Sequence, residues 1–213
     1  SIIPLLIASA TAVLTSYFFL GQAVLYPYVI TEEFQLADSP YFILLGILAG
    51  LVSVYFTKMY MFIEFNFFKI NKWYSKVILG GLCLGILIFL FPSLYGEGYE
   101  AINASLHGNF DPLFNNSIFY SLKDNIYIVF LLLFLIIFFK VIATSITFGA
   151  GGVGGIFAPT LFMGAFTGLL FASLVNHLKI GEISSGNFAL VGMGGLIAGV
   201  LHAPLTAIFL IAE

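Results

Sequence analysis

The chain has 213 residues, of which 61% are hydrophobic and only 8% charged, with a formal net charge of −3. Soluble domains hold about 45–50% apolar and about 25% charged residues, so a soluble globular enzyme, a nucleic-acid binder and a disordered chain are excluded, and a polytopic membrane protein remains. All seven basic residues are lysines, which leaves no guanidinium for bidentate phosphate or nucleic-acid contacts.

A spanning helix takes about 20 mostly apolar residues, so the length admits roughly five to seven such segments. The apolar runs are continuous rather than alternating with period two, which favours helices over a barrel. The first predicted helix covers 2–20 and is interrupted by Pro4. An acidic stretch, Gly21–Pro40, follows with Glu32, Glu33 and Asp38 and no base. The second helix, 41–68, is longer than a perpendicular span needs. Lys69, Lys72 and Lys76 then surround Trp73 and Tyr74. The third helix, 77–91, stops at Pro92. The stretch Ser93–Asn125 is the most polar, with Glu97, Glu100, Asp111, Asp124 and His107 against one Lys123. The fourth helix, 126–146, carries Lys140. The fifth covers 156–178 and the sixth 188–201. His202-Ala203-Pro204 breaks the sixth from a seventh, 204–213. The apolar runs at both ends predict a single transmembrane domain, 1–213, incomplete at each end. Cys83, the single cysteine, has no partner for an internal disulfide.

Charge orients these helices. Lys58, Lys69, Lys72 and Lys76 mark the loop 69–76 as cytoplasmic by the positive-inside rule, with Trp73 and Tyr74 as an interfacial anchor. Alternation places Gly21–Pro40 and Ser93–Asn125 outside and delivers Lys140 to the cytoplasmic half.

Between the fourth and fifth helices, Gly149, Gly151, Gly152, Gly154 and Gly155 fall within seven residues. Each glycine costs a helix roughly 1 kcal/mol, so the chain unwinds here. Unwound backbone at membrane depth is tolerated where protein covers it or it lines a cavity. Ile156-Phe157-Ala158-Pro159 then opens a helix, and the amides before it lie at the positive dipole end. That is an anion site made of backbone, with no fixed cation. A permeating ion must bind and also leave, which partial charges permit. On residues alone, close helix packing through Gly151 and Gly155 at small-xxx-small spacing fits equally well. The match of Gly149–Gly154 to a dinucleotide fingerprint is rejected, because no strand–turn–helix context or properly spaced acid accompanies it. The break at Ala203-Pro204 frees further backbone. Glu213, an ionisable residue ending an apolar helix, reads either as functional or as a cap on a neighbouring helix.

Gly154-Gly-Ile-Phe-Ala-Pro159 resembles the G-x-F-x-P anion-binding motif of the CLC chloride channels and proton-coupled chloride transporters. Ala203-Pro-Leu-Thr-Ala-Ile-Phe-Leu-Ile-Ala-Glu213 looks like that family's later A-P-L-T-x-x-x-x-x-x-E motif, and Gly96-Glu-Gly-Tyr99 is similar to a glycine-rich turn of its outer loop. The likeness covers essentially the whole chain, and the two main motifs together are specific. It departs at Val153, where the family often has proline. The family's gating-glutamate motif, its first-half serine motif and the late helix bearing the pore tyrosine have no match here, and neither Glu64 nor Glu213 takes a gating or proton-relay role.

The resemblance implies an all-α polytopic membrane helix bundle with discontinuous helices, CLC-like, part of an inverted-repeat transporter fold. It implies chloride transport, not catalysis, with exchange against protons slightly favoured over a channel. Anion-binding backbone would come from Gly154, Gly155, Ile156 and Phe157. Gly149, Gly151, Gly152, Ala158, Pro159, Ala203 and Pro204 would shape the loop and the helix breaks. No metal and no cofactor is expected beyond the chloride ion itself. The partners implied are chloride, protons, the lipid bilayer and a second copy of the chain, in a homodimer through 2–20 and 204–213. The competing readings are a broken-helix transporter for another anion or a sodium-coupled solute, and a membrane module that only packs.

Overall fold

A computed structural model describes residues 2–21, 35–106, 111–115, 117, 120 and 125–212, and among these every regular element is a helix. In chain order they are α1 (Ile2–Leu20), a 3-10 turn (Leu36–Asp38), α2 (Ser39–Phe68), α3 (Trp73–Leu90), a second 3-10 turn (Pro92–Leu94), α4 (Tyr99–Leu106), the single turn α5 (Asp111–Phe114), α6 (Ile126–Gly149), α7 (Phe157–His177), α8 (Ser185–Leu201) and α9 (Pro204–Ala212). Among the described residues, four segments are long and apolar enough to cross a bilayer: Leu36–Phe68, Trp73–Leu90, Ile126–Gly149 and Phe157–His177. Glu32, Glu33, His107, Lys123, Asp124 and Glu213 lie outside the described residues.

α7 is the centre of the bundle. Its residues from Thr160 to Leu169 are all buried, the pattern of a helix covered on every side. Glycines make that possible. A Cβ on Gly164 would stand 2.5 Å from Met193 Cα, and one on Gly168 would collide with Phe188 O. α7 and α8 therefore meet backbone to backbone, as small residues allow in membranes. Because Gly164 faces Gly192 and Met193 while Gly168 faces Phe188 and Ala189, the pair is antiparallel.

The other face of α8 rests on α2, where Cβ atoms on Gly195 and Gly199 would lie 3.0 Å from Ala49 Cβ and 2.7 Å from Ser53 Oγ. Further along, α2 turns to α6: Tyr55 Oη donates to Phe138 O at 2.9 Å, and Tyr60 meets the Phe148 ring edge-on at 5.9 Å. α3 touches this body through Gly80, where a Cβ would lie 2.5 Å from Ala150 Cβ. On α1 every described side chain is exposed.

Several helix ends differ from the apolar runs. α3 starts at Trp73, four residues before 77, because Lys72 is extended (φ −91, ψ 118) and its carbonyl accepts from Ser75 and Lys76. α8 starts at Ser185, three residues before 188, because Ser184 Oγ accepts from Asn187 N and caps it. α6 runs on to Gly149 rather than 146. In each case a polar or small residue continues or caps the helix where hydropathy alone stops.

Candidate functional site

The five loop glycines do different things. Gly149 packs against Phe67, whose side chain a Cβ would meet at 2.8 Å. Gly151 N donates to Phe148 O at 2.9 Å and Gly152 N to Thr147 O at 2.8 Å. With Gly151 at φ +99, these bonds form a Schellman cap, and they satisfy carbonyls that the end of α6 would otherwise leave open. Gly152 is also crowded, since a Cβ would lie 2.8 Å from Thr147 O. Gly154 and Gly155 have no such duty. Neither has positive φ, and a Cβ there would meet nothing closer than the Phe148 ring at 3.7 Å and Phe157 N at 3.9 Å respectively.

Among the described residues, Gly151 and Gly155 make no close helix approach. Both sit in the exposed, non-helical loop with Val153, which is fully exposed. Close helix approach falls instead to Gly164, Gly168 and Gly192. The dinucleotide alternative fails, since the loop joins two helices and no strand occurs among the described residues.

α7 begins after Ile156 (φ −85, ψ −6). The first helical bond runs from Thr160 N to Ile156 O at 3.1 Å, and Thr160 Oγ1 donates to the same carbonyl at 2.6 Å. Pro159 has no N–H to place. Among the described residues, no backbone carbonyl accepts from the amides of Gly154, Gly155, Ile156, Phe157 or Ala158. These donors stand at the positive end of a 21-residue helix, beside two exposed glycines that carry no side chain over them.

The second break closes the same end of the antiparallel pair. α8 ends at His202, which is left-handed (φ 54, ψ 33), and α9 starts at Pro204, with Ala207 N donating to Ala203 O at 3.0 Å. Ala203 is half-buried and Pro204 exposed. Since α8 runs antiparallel to α7, Ala203 and Pro204 end the pair where Ile156 and Phe157 begin it.

Lys140 is buried inside the helix bundle. It is 3% exposed, and its Nζ donates to Leu94 O at 3.1 Å and Gly96 O at 2.9 Å. The ammonium also lies 4.5 Å from the Phe162 ring centroid. Gly98 (φ +79) packs on that same ring. Lys140 therefore ties the Pro92–Gly98 turn, which holds the first three residues of the Gly96-Glu-Gly-Tyr99 sequence, to α6 and α7. Sequence reading missed this, although a lone lysine within an apolar run is a signal of a buried partner.

The family model described as "Voltage gated chloride channel" matches residues 1–213. The chain is 34% identical over 198 residues to the "H(+)/Cl(-) exchange transporter ClcA" of Yersinia pestis bv. Antiqua (strain Angola), a match covering 86% of this chain and 37% of that protein. It is 34% identical over 196 residues to the ClcA exchange transporter of Salmonella typhi, with the same two coverages. The chain thus spans a little over a third of the length of these curated relatives.

Proposed function

The chain belongs to the voltage gated chloride channel family, and on that footing we propose that it supplies one flank of a chloride pathway through the membrane. It is an all-helical integral membrane protein, and transport rather than catalysis is its activity. The observation that carries the reading is the run of amides from Gly154 to Ala158 that find no backbone carbonyl among the described residues. Amides of Ile156 and Phe157 hold the ion, and bare Gly154 and Gly155 let it come close. Gly149, Gly151 and Gly152 aim the loop by ending α6. Ala203 and Pro204 form the neighbouring break, and Pro159 leaves no donor pointing back into the helix.

Charge is provided without a side-chain cation. The only lysine on α6 or α7 is Lys140, and its donors are turned to Leu94 and Gly96. A fixed ammonium would bind chloride too firmly to release it, whereas dipoles hold it loosely. Exchange with protons is the favoured mode, since the relatives above are named for it. The loop 69–76 faces the cytoplasm, and two copies pair through 2–20 and 204–213, whose exposed apolar side chains include Phe18, Leu205 and Phe209.

Isotope flux and equilibrium halide titration on the purified intact protein test the site. Gly155→Val, which covers the amide edge, should abolish chloride flux in a folded protein. Ile156→Leu should keep it, because the contacting group is main chain. Normal chloride binding in folded Gly155→Val would contradict the proposal.

A further inference from the structure

The turn between α2 and α3 gathers three of the seven lysines, Lys69, Lys72 and Lys76, within eight residues. Each ammonium lies against a ring. Lys69 Nζ is 4.3 Å from the centroid of Phe65, Lys72 Nζ 5.8 Å from that of Tyr74, and Lys76 Nζ 6.0 Å from that of Phe68. These rings are not core residues. Phe65, Phe68, Trp73 and Tyr74 are all exposed, Trp73 by 75%. No acidic residue occurs between Glu64 and Glu97, and Glu64 is about 140° around the helix from Lys69 at 100° per residue. The cluster thus has no acidic neighbour along the chain that faces it.

Depth decides what meets this charge. The turn joins the ends of two helices that are each long and apolar enough to span, so it lies where hydrocarbon gives way to headgroups. Aromatic rings collect at that level, and lysines near it attract anionic lipid. An ammonium resting on a ring face still has N–H donors to offer. We propose that the α2–α3 turn is a binding site for an anionic phospholipid, with Lys69, Lys72 and Lys76 on the phosphate and Phe65, Phe68 and Trp73 against the glycerol and upper acyl chains. A lipid fits better than free phosphate, because only a lipid covers the exposed rings and the charges together. The assignment does not depend on which side of the membrane the turn faces, nor on the chloride pathway.

The probe is a photoactivatable phosphatidylglycerol, with the matching phosphatidylcholine as control, added to the intact protein in bilayers. Crosslinks are mapped by mass spectrometry. Phosphatidylglycerol should label residues 65–76 and phosphatidylcholine should not. One lysine near a membrane surface corresponds to about fivefold in affinity. Labelling should therefore fall fivefold or more in Lys69→Gln/Lys72→Gln/Lys76→Gln and be kept in the triple lysine-to-arginine protein. If the triple glutamine protein does not fold, Lys72→Gln alone, at an exposed position, should halve the labelling or reduce it further. Equal labelling by both lipids, or unchanged labelling in the glutamine variants, would overturn the site. Loss of labelling in millimolar inorganic phosphate would overturn the lipid assignment in favour of a free-phosphate site.

Discussion

At Gly151 the chain needs a left-handed residue to end α6, and at Gly155 it does not. Gly151→Ala should lower stability by about 1 kcal/mol through strain at positive φ, while Gly155→Ala should leave it nearly unchanged. Thermal unfolding of the two purified proteins makes the comparison, and equal losses would contradict the division of labour within the loop. The sequence exposes a cluster of five glycines but not which one bends the chain, because φ is set by how α6 ends. Lys140 teaches the same lesson from the other side. Its place in an apolar run is visible, whereas its partners are carbonyls 44 and 46 residues away in sequence. Removing it leaves Leu94 O and Gly96 O without their donor and opens a cavity, so Lys140→Ala should cost about 2–4 kcal/mol. Its charge is spent on those carbonyls, so chloride affinity in the folded variant should stay within about threefold. A hundredfold loss would mean that a side-chain cation holds the anion.

Among the elements, α7 and α8 depend on each other most. Gly164, Gly168 and Gly192 let their backbones touch, and no rotamer change makes room for a methyl group against Phe188 O. Gly168→Ala should therefore destabilise more than the 1–3 kcal/mol usual for overpacking by about one methylene, and detergent-solubilised protein should elute as aggregate in size-exclusion chromatography. Gly46→Ala is the control, since nothing lies within 4 Å of a Cβ there. Unaltered elution of Gly168→Ala would show that the two helices have room to separate. Apolar runs made the existence of these helices legible. Their ends were less so, because Lys72 and Ser184 start α3 and α8 by backbone and hydroxyl hydrogen bonds that hydropathy does not register. The contact partners of the glycines were not legible at all, since the small residues on α7, α8 and α2 show their pairing only once the helices are side by side.

For the molecule as a whole, charge asymmetry predicts that Lys69, Lys72 and Lys76 face the cytoplasm. With Cys83 replaced, Lys72→Cys in sealed cells should escape an impermeant external thiol reagent and react after permeabilisation. External labelling would invert the topology. The central claim is narrower and concerns how a helical bundle with few charges attracts an anion: main-chain donors at the start of α7 supply the attraction. The most direct measurement replaces Phe157 by its α-hydroxy analogue, which turns one amide into an ester, removes its N–H and keeps the side chain. A hydrogen bond to a charged group contributes about 1.5–3 kcal/mol, so equilibrium titration should show chloride affinity falling roughly ten- to a hundredfold. The same change at Leu178, whose N–H donates to Leu174 O within the helix, should weaken stability and leave chloride affinity as it was. Undiminished chloride binding by the folded ester at position 157 would contradict the account.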